Sequence, residues 1–524
     1  MKKVTVEMRR REFLGGAALA AGFAVPAFAA ADGKERAEGY SASGLVAGGE
    51  YVQQVRAKVL EPVDVVVAGG GTAGVIAALA AARGGAKTML IEGRGFLGGM
   101  LTDGNAALTM FQKFSGRHEE HVRDLETLAK DPDQLHIAKG IPMEIVKRLL
   151  AKRYAIGNEG TVGAYLFTSS ENFKRELVEM MEEAKVKLRF YSMIVDVVRD
   201  GTTVKGVVLE SKSGREIVPA KMFIDCTGDG DLCVRAGAEY TVGVTKDDVC
   251  AAHSKIGQMT PMGVMFKVGN VDFDRLFDYI GRNREFFGRQ GCARFTYEEA
   301  FARYQKGEMA TFNLIRKGKD PRSVQVYNLP DKGVACLGCP LIRDRDGCNA
   351  DDMTAAECQL AKIIANWMDS LREFPGFEKM FLLQVPQMGV RETRHIRGDY
   401  VLGIMDIYKQ KPFEDCIGFG AHPIDTRPRP AWLNDPETNY PPRWYFQIPF
   451  RSLVVKGLDN ALVAGRCISA THEAFGCIRP TVQCMVIGEA AGTAAAMAVK
   501  KGVALRGLDY GELRRELKKN GALC

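Results

Sequence analysis

One continuous stretch, from Val63 to Glu92, limits the possible folds of this chain more than any other. Val63-Asp64-Val65-Val66-Val67-Ala68 is a β-branched apolar run of strand length. It leads straight into Gly69-Gly70-Gly71-Thr72-Ala73-Gly74, and Val75 to Arg83 is Ala-rich and helical until Gly84-Gly85 stops it. A second strand, Lys87-Thr88-Met89-Leu90-Ile91-Glu92, completes a β-α-β unit. In the Gly-x-Gly-x-x-Gly spacing, Gly69 permits the tight turn, Gly71 lets backbone approach a pyrophosphate, and Gly74 lets helix and strand pack closely. The helix start after the loop presents free N–H groups and its positive dipole end to the phosphates. Glu92, at the end of the second strand, is placed to accept hydrogen bonds from an adenosine ribose. The unit predicts a dinucleotide-binding domain on a parallel sheet, without choosing the nucleotide.

Three further segments make that choice. Glu92 leads into Gly93-Arg94-Gly95-Phe96-Leu97-Gly98-Gly99-Met100-Leu101-Thr102, where the glycine pair lets a loop pass close to a ligand. This resembles the Gly-Gly stretch that follows the acidic strand in FAD proteins of the glutathione-reductase-like superfamily. Val195-Asp196-Val197-Val198 and Val204 to Leu209 flank Asp200-Gly201, a hairpin signal. The strand after them ends in Asp225-Cys226-Thr227-Gly228, which resembles the second FAD-contacting strand of that superfamily. Finally Ala461-Leu462-Val463-Ala464-Gly465-Arg466 is a strand running into glycine, and a helix follows Pro480 to about Lys500. Gly488, Ala491, Gly492 and Ala495 share one face of that helix; close approach of a flavin and plain packing would ask for the same small residues.

Together these segments resemble the large bacterial family of FAD-dependent oxidoreductases, from about Val63 to Val499. The resemblance implies an α/β fold: a Rossmann-like, glutathione-reductase-like FAD-binding domain assembled from residues 60–110, 160–250 and 440–505. An inserted α+β substrate domain is expected over 251–439 and a helical tail over 506–524. FAD is the implied cofactor, held by Gly69, Gly71, Thr72, Ala73, Gly74, Glu92, Gly93, Arg94, Gly98, Gly99, Met100, Thr102, Val195, Cys226, Thr227, Gly228, Gly465, Arg466 and Thr481. The chain departs from its relatives in having Gly488-Glu489 where Gly-Gln is common, and Pro480-Thr481 where a hydrophobic pair is common.

Flavin supplies the redox step, so the protein must hold a substrate C–H against flavin N5 with a proton-transfer group and a charge clamp nearby. His472 and Arg479 flank the start of the C-terminal helix and are the first candidates. Imidazole titrates near neutral pH, and guanidinium pairs with carboxylate or with a flavin anion; both side chains would equally serve to hydrogen-bond loop carbonyls. Arg391 and Arg394, one helical turn apart beside Glu392, are candidates for an anion site or an internal ion-pair network.

Composition removes other classes. The formal charge of +7 includes +3 from residues 1 to 29, leaving too little elsewhere for a nucleic-acid partner. Those first 30 residues read as an address. Arg10-Arg11-Glu12-Phe13-Leu14 resembles a twin-arginine export signal, and Ala27-Phe28-Ala29 offers a cleavage site. Export by the twin-arginine translocase to the periplasm follows, after folding around FAD. Thirteen scattered cysteines are not a disulfide framework. Cys336-Leu337-Gly338-Cys339 with Cys348 and Cys358 fits no standard metal spacing, so no metal is expected. No second glycine-loop unit for NAD(P)H is present, which leaves a quinone, a cytochrome or oxygen as the external electron partner. A small polar organic molecule is the expected substrate. Oxidation of it, reduction of an unsaturated acid by the same cofactor, and non-catalytic electron relay all remain open.

Overall fold

The computed structural model describes residues 55–109, 114–115, 136–157, 165–289, 295–316, 323–428 and 443–524. The export signal and its cleavage site lie outside them. Residues Arg56–Cys524 form one folding unit.

Its central sheet follows from the apolar runs. Val63–Ala68, buried along nearly its whole length, pairs in parallel with Thr88–Ile91 on one side and with the end of Gly214–Asp225 on the other, Val66 opposite Met89 and Phe223. Lys187–Arg189 extends the sheet beyond Thr88–Ile91, and Ala461–Val463 pairs with Phe223 to Asp225. Strands buried on both faces read as continuous apolar runs, as parallel sheets require. Gly214–Asp225 changes partners along its length, because its first half joins Thr203–Ser211 and Met193–Asp200 in an antiparallel meander. Gly201 makes the predicted hairpin turn at φ +56°.

The helices Thr72–Arg83 and Thr481–Lys501 pack directly on each other. A Cβ on Gly488 would lie 2.3 Å from the Ala73 carbonyl oxygen, and one on Gly492 would lie 2.2 Å from that of Ala77. The small-residue stripe therefore serves helix-on-helix packing. Thr481–Lys501 is long and apolar enough to cross a membrane, the one such helix among the described residues, and it is buried in the protein core.

A second, antiparallel sheet runs Phe287–Gly288, Thr311–Ile315, Ser323–Asn328, Ala335–Ile342, Met262–Gly269, Phe381–Gln384. It has its own core, including Phe266, Phe277, Phe312 and Leu337, under the helices Phe273–Arg282 and Ala350–Leu371. The 251–439 segment divides. Residues up to Met388 build this second core, whereas Ile396, Leu402, Ile417 and Ile424 pack into the first. Two long-range pairings cause this: Arg394–Ile396 joins Tyr240–Val242, and Cys416–Gly420 joins Phe446–Pro449. The helix Tyr510–Lys519 buries Leu513 and Leu517 against the first core, so the tail is part of the fold.

Candidate active site

At the carboxyl ends of the parallel strands the chain leaves a cleft with two lobes, each of about 360 Å³. Gly69, Glu92, Arg94 and Thr227 line both, so the lobes form one elongated site. One lobe is completed by Ile91, Gly93, Ser192, Met193, Ile194 and Arg235. The other is walled by Gly71, Thr72, Ala73, Gly99, Met100, Cys226, Gly228, Gly465, Arg466, Arg479, Thr481, Cys484 and, from beyond the second sheet, Met388 and Val390.

The glycines separate by task. A Cβ on Gly74 would lie 1.8 Å from the Gly69 carbonyl oxygen, so this glycine seats the helix on the strand. A Cβ on Gly71 would meet nothing within 4 Å, although Gly71 lies on the cleft wall: the space above it is free for a ligand. Glu92 joins the loops on either side of it. Its Oε2 accepts from the Gly70 N–H at 2.7 Å and its Oε1 from the Arg94 N–H at 2.9 Å, leaving further lone pairs on both oxygens. Gly98 donates its N–H to the Gly70 carbonyl at 2.8 Å and has φ +95°, a left-handed conformation that favours glycine.

The turn after Gly214–Asp225 is held by a side chain the sequence reading passed over. Buried Asp225 accepts from the Thr227 N–H and hydroxyl through Oδ1 and from the Cys233 N–H through Oδ2. Burial raises its pKa, with these donors opposing the rise. Beside the turn, Arg466 donates to Asp229 at 2.5 Å and to the Thr393 hydroxyl at 2.8 Å, while Thr393 donates to Asp229 at 2.7 Å. The clamp ties the 390s segment to the cleft floor.

Several expected residues stand elsewhere. Thr102 is fully buried with its hydroxyl donated to the Leu97 carbonyl at 2.6 Å, so it fixes the glycine loop from behind. Val195 does not line the cleft; its carbonyl accepts from Arg235 and its neighbours Met193 and Ile194 form the wall. His472 is buried in the short helix His472–Ile478, away from the cleft lining. Its Nδ1 meets Glu392 Oε1 at 2.8 Å and its Nε2 the Pro428 carbonyl at 2.9 Å. Two acceptors require two N–H donors, so this imidazole is held as a cation. Burial opposes that charge, but Glu392 prevails and raises the His472 pKa. Burial would raise the Glu392 pKa in turn, yet His395 and His472 hold it well below the carboxylate range. Arg394 pairs with Asp231 at 3.0 Å, the ion-pair alternative.

Arg479 does reach the cleft. Its guanidinium donates to the Asp425 carbonyl at 2.8 Å and pairs with the Asp425 carboxylate. Arg391 donates to the Pro261 carbonyl at 2.9 Å and contacts Cys339 Sγ at 3.0 Å, with no carboxylate in hydrogen-bond reach among the described residues. Burial would raise the Asp425 pKa, but Arg479, His422, Arg391 and Arg427 hold the carboxyl well below its usual range. Cys336 is buried in the second sheet, and among the described residues no group of three His, Cys, Asp or Glu is placed to hold a metal.

A two-lobed cleft over a strand–glycine loop–helix, with a helix N-terminus and a cation at its far end, is the site of a flavin enzyme. The free volume above Gly71 and the acceptor at Glu92 fit FAD, and the protein is an FAD-dependent oxidoreductase. Specifically, the chain belongs to the FAD dependent oxidoreductase family, which it matches over residues 64–517. None of the curated proteins matches it. Solved structures similar to it include a geranylgeranyl bacteriochlorophyll reductase-like protein from Thermoplasma acidophilum, at 12% identity and TM-score 0.39, covering 88% of this chain and 83% of that one. A p-nitrophenol 4-monooxygenase from Pseudomonas putida is similar at 12% identity and TM-score 0.41, covering 88% and 85%. A flavoprotein/dehydrogenase from Cytophaga hutchinsonii is similar at 13% identity and TM-score 0.40, covering 87% and 82%.

Proposed function

We propose that this enzyme is exported and oxidises a small polar organic molecule by hydride transfer from a substrate C–H to flavin N5. Electrons then pass to a quinone, a cytochrome or oxygen outside the chain. In this reading the FAD-binding domain is of the glutathione-reductase-like subtype, and the antiparallel sheet over 262–384 is the inserted substrate domain. Gly69 to Gly74 cradle the pyrophosphate, Glu92 takes the adenosine ribose, and Thr481 opens the helix that points at the ring. When bound, FAD supplies the two-electron redox centre; the chain orients the substrate and handles its proton and charge.

The observation that carries the reading is Arg479 on the cleft wall, with Arg391 and Asp425 beside it. Arg479, Arg391 and Arg427 against Asp425 and Glu392 leave an excess of positive charge, which suits a carboxylate or hydroxyl group on the substrate. An electron-relay protein would have no use for such a clamp. Reduction of an unsaturated acid fed by a cytochrome would use the same residues in reverse.

Anaerobic mixing of the oxidised protein with sugars, hydroxy acids and amines decides the direction. Bleaching of the flavin by one of them is the expected result; reoxidation of the dithionite-reduced protein by unsaturated acids alone would reverse it, and no response to either set would indicate a relay. Export rests on Arg10 and Arg11. Replacing both with Lys should leave the enzyme in the cytoplasm with its FAD, whereas periplasmic recovery of that variant would overturn the twin-arginine route.

A further inference from the structure

We propose that the substrate is a carboxylate with an apolar, ring-bearing body, and that Met100, Met353, Met388 and Val390 select that body while Arg479 takes the charge. All five residues line the same lobe of the cleft. Met353, Met388 and Val390 come from the second core, not from the segments assigned to the nucleotide, and Met100 joins them from the short helical turn Gly99–Leu101.

The four apolar side chains are tied into one surface. A Cβ on Gly389, between Met388 and Val390, would lie 3.2 Å from Met100 Cε. A Cβ on Gly347 would lie 2.5 Å from Val390 Cγ1, and Gly347 leads into the helix Ala350–Leu371, whose first turn holds Met353. One turn further along that helix, Glu357 accepts the Met388 N–H at 2.7 Å. Met100 is 39% exposed and Met353 half-buried, so both present thioether to the cleft instead of losing it to core packing. Apolar surface left open in a concave site is stabilised by an apolar ligand, and thioethers adapt to the edge of an aromatic ring.

The polar side chains of the lobe are mostly engaged with one another. Asp229 binds Arg466 and Thr393. Asp103 accepts from the Gln384 amide at 3.3 Å and from the Gln387 N–H at 3.4 Å, with Lys174 at 3.8 Å. From the second core, only the exposed Gln387 amide lacks a partner among the described residues. A sugar or polyol needs several free donors and acceptors around it, and unpaired hydroxyls in such a wall would cost binding. A carboxylate has one suitable donor: Arg479 engages Asp425 through Nε and Nη2, leaving Nη1 without a partner among the described residues. The role of Arg479 rests on the proposed function, whereas the apolar wall does not.

Calorimetric titration of the FAD-loaded protein with benzoate and with acetate tests the two features separately, because both anions carry the same carboxylate. Benzoate should bind at least about 10-fold more tightly, with a negative heat-capacity change from burial of the ring. Met353→Gln and Met100→Gln keep the side-chain length and add polarity. Each should retain the flavin spectrum and weaken benzoate about 2- to 10-fold while leaving acetate unchanged. Arg479→Gln should weaken both anions by the same factor. If it alters neither, the anion clamp of the proposed function fails, and the preference for benzoate over acetate decides the wall by itself. Benzoate that binds no more tightly than acetate, methionine variants that weaken both anions alike, or glucose that binds more tightly than benzoate would overturn the inference.

Discussion

Replacing Gly71 and Gly74 with alanine, one at a time, separates binding from folding within a single loop. Gly71 is the N-cap of the helix Thr72–Arg83 with φ −76°, a conformation alanine adopts freely, and its added Cβ would meet no protein atom within 4 Å. The apoprotein should lose less than about 1 kcal/mol, the cost of a poorer cap. The same methyl group fills the space through which backbone approaches the pyrophosphate. Overpacking of this kind costs about 1–3 kcal/mol, so FAD affinity should fall by about 5- to 150-fold. Gly74→Ala has the opposite profile. Its Cβ would sit 1.8 Å from the Gly69 carbonyl oxygen, a backbone atom that cannot turn aside. The apoprotein should lose about 1–3 kcal/mol or more of stability even though alanine favours helix. Urea denaturation of apoprotein and fluorescence titration with FAD read the two quantities independently. Equal loss of apoprotein stability in both variants, or unaltered FAD affinity in Gly71→Ala, would refute the division of labour.

Glu489 is buried with its pKa raised to about 7, chiefly by burial, and accepts the Ile141 N–H at 3.2 Å. An acid that ionises later in the folded state makes stability fall as pH rises from 4.5 to 7. Glu489→Gln should flatten that fall and gain on the order of 2–3 kcal/mol above pH 7 in denaturation experiments. Glu392→Gln should cost about 3–5 kcal/mol at neutral pH by stranding the His472 cation. Because the Glu392 pKa is lowered, its contribution is present above pH 4.5 and is lost on acidification below that value, so acid titration of the two proteins should converge. Arg479→Gln should retain FAD but lower its midpoint potential by tens of millivolts, since about 1.4 kcal/mol corresponds to 30 mV for two electrons; spectroelectrochemistry measures it.

Legibility in the sequence followed locality. Val63 to Glu92 was readable because strand period, glycine spacing and acid occur within 30 consecutive residues, and each part agrees with its neighbours. Asp225-Cys226-Thr227-Gly228 was readable for the same reason, though the tether from Asp225 to Cys233 was not. His472 looked like a ring-facing residue because it precedes the flavin helix in sequence. Its actual partner, Glu392, is 80 residues away, and nothing near either position announces the pair. Thr102 likewise stood beside cleft-lining Met100 yet turns its hydroxyl inward to Leu97. The packing of residues beyond Met388 into the first core was not legible, because Cys416–Gly420 finds its strand partner at Phe446–Pro449, a register no periodicity reveals.

The central claim is that the cleft over Gly71 holds one FAD. The direct measurement is the visible spectrum of the purified protein, with the nucleotide then released by denaturation and quantified. The account predicts oxidised-flavin absorption and one FAD per chain, falling sharply in Gly71→Ala while the fold persists. A folded, colourless protein that takes up no FAD on reconstitution would contradict it.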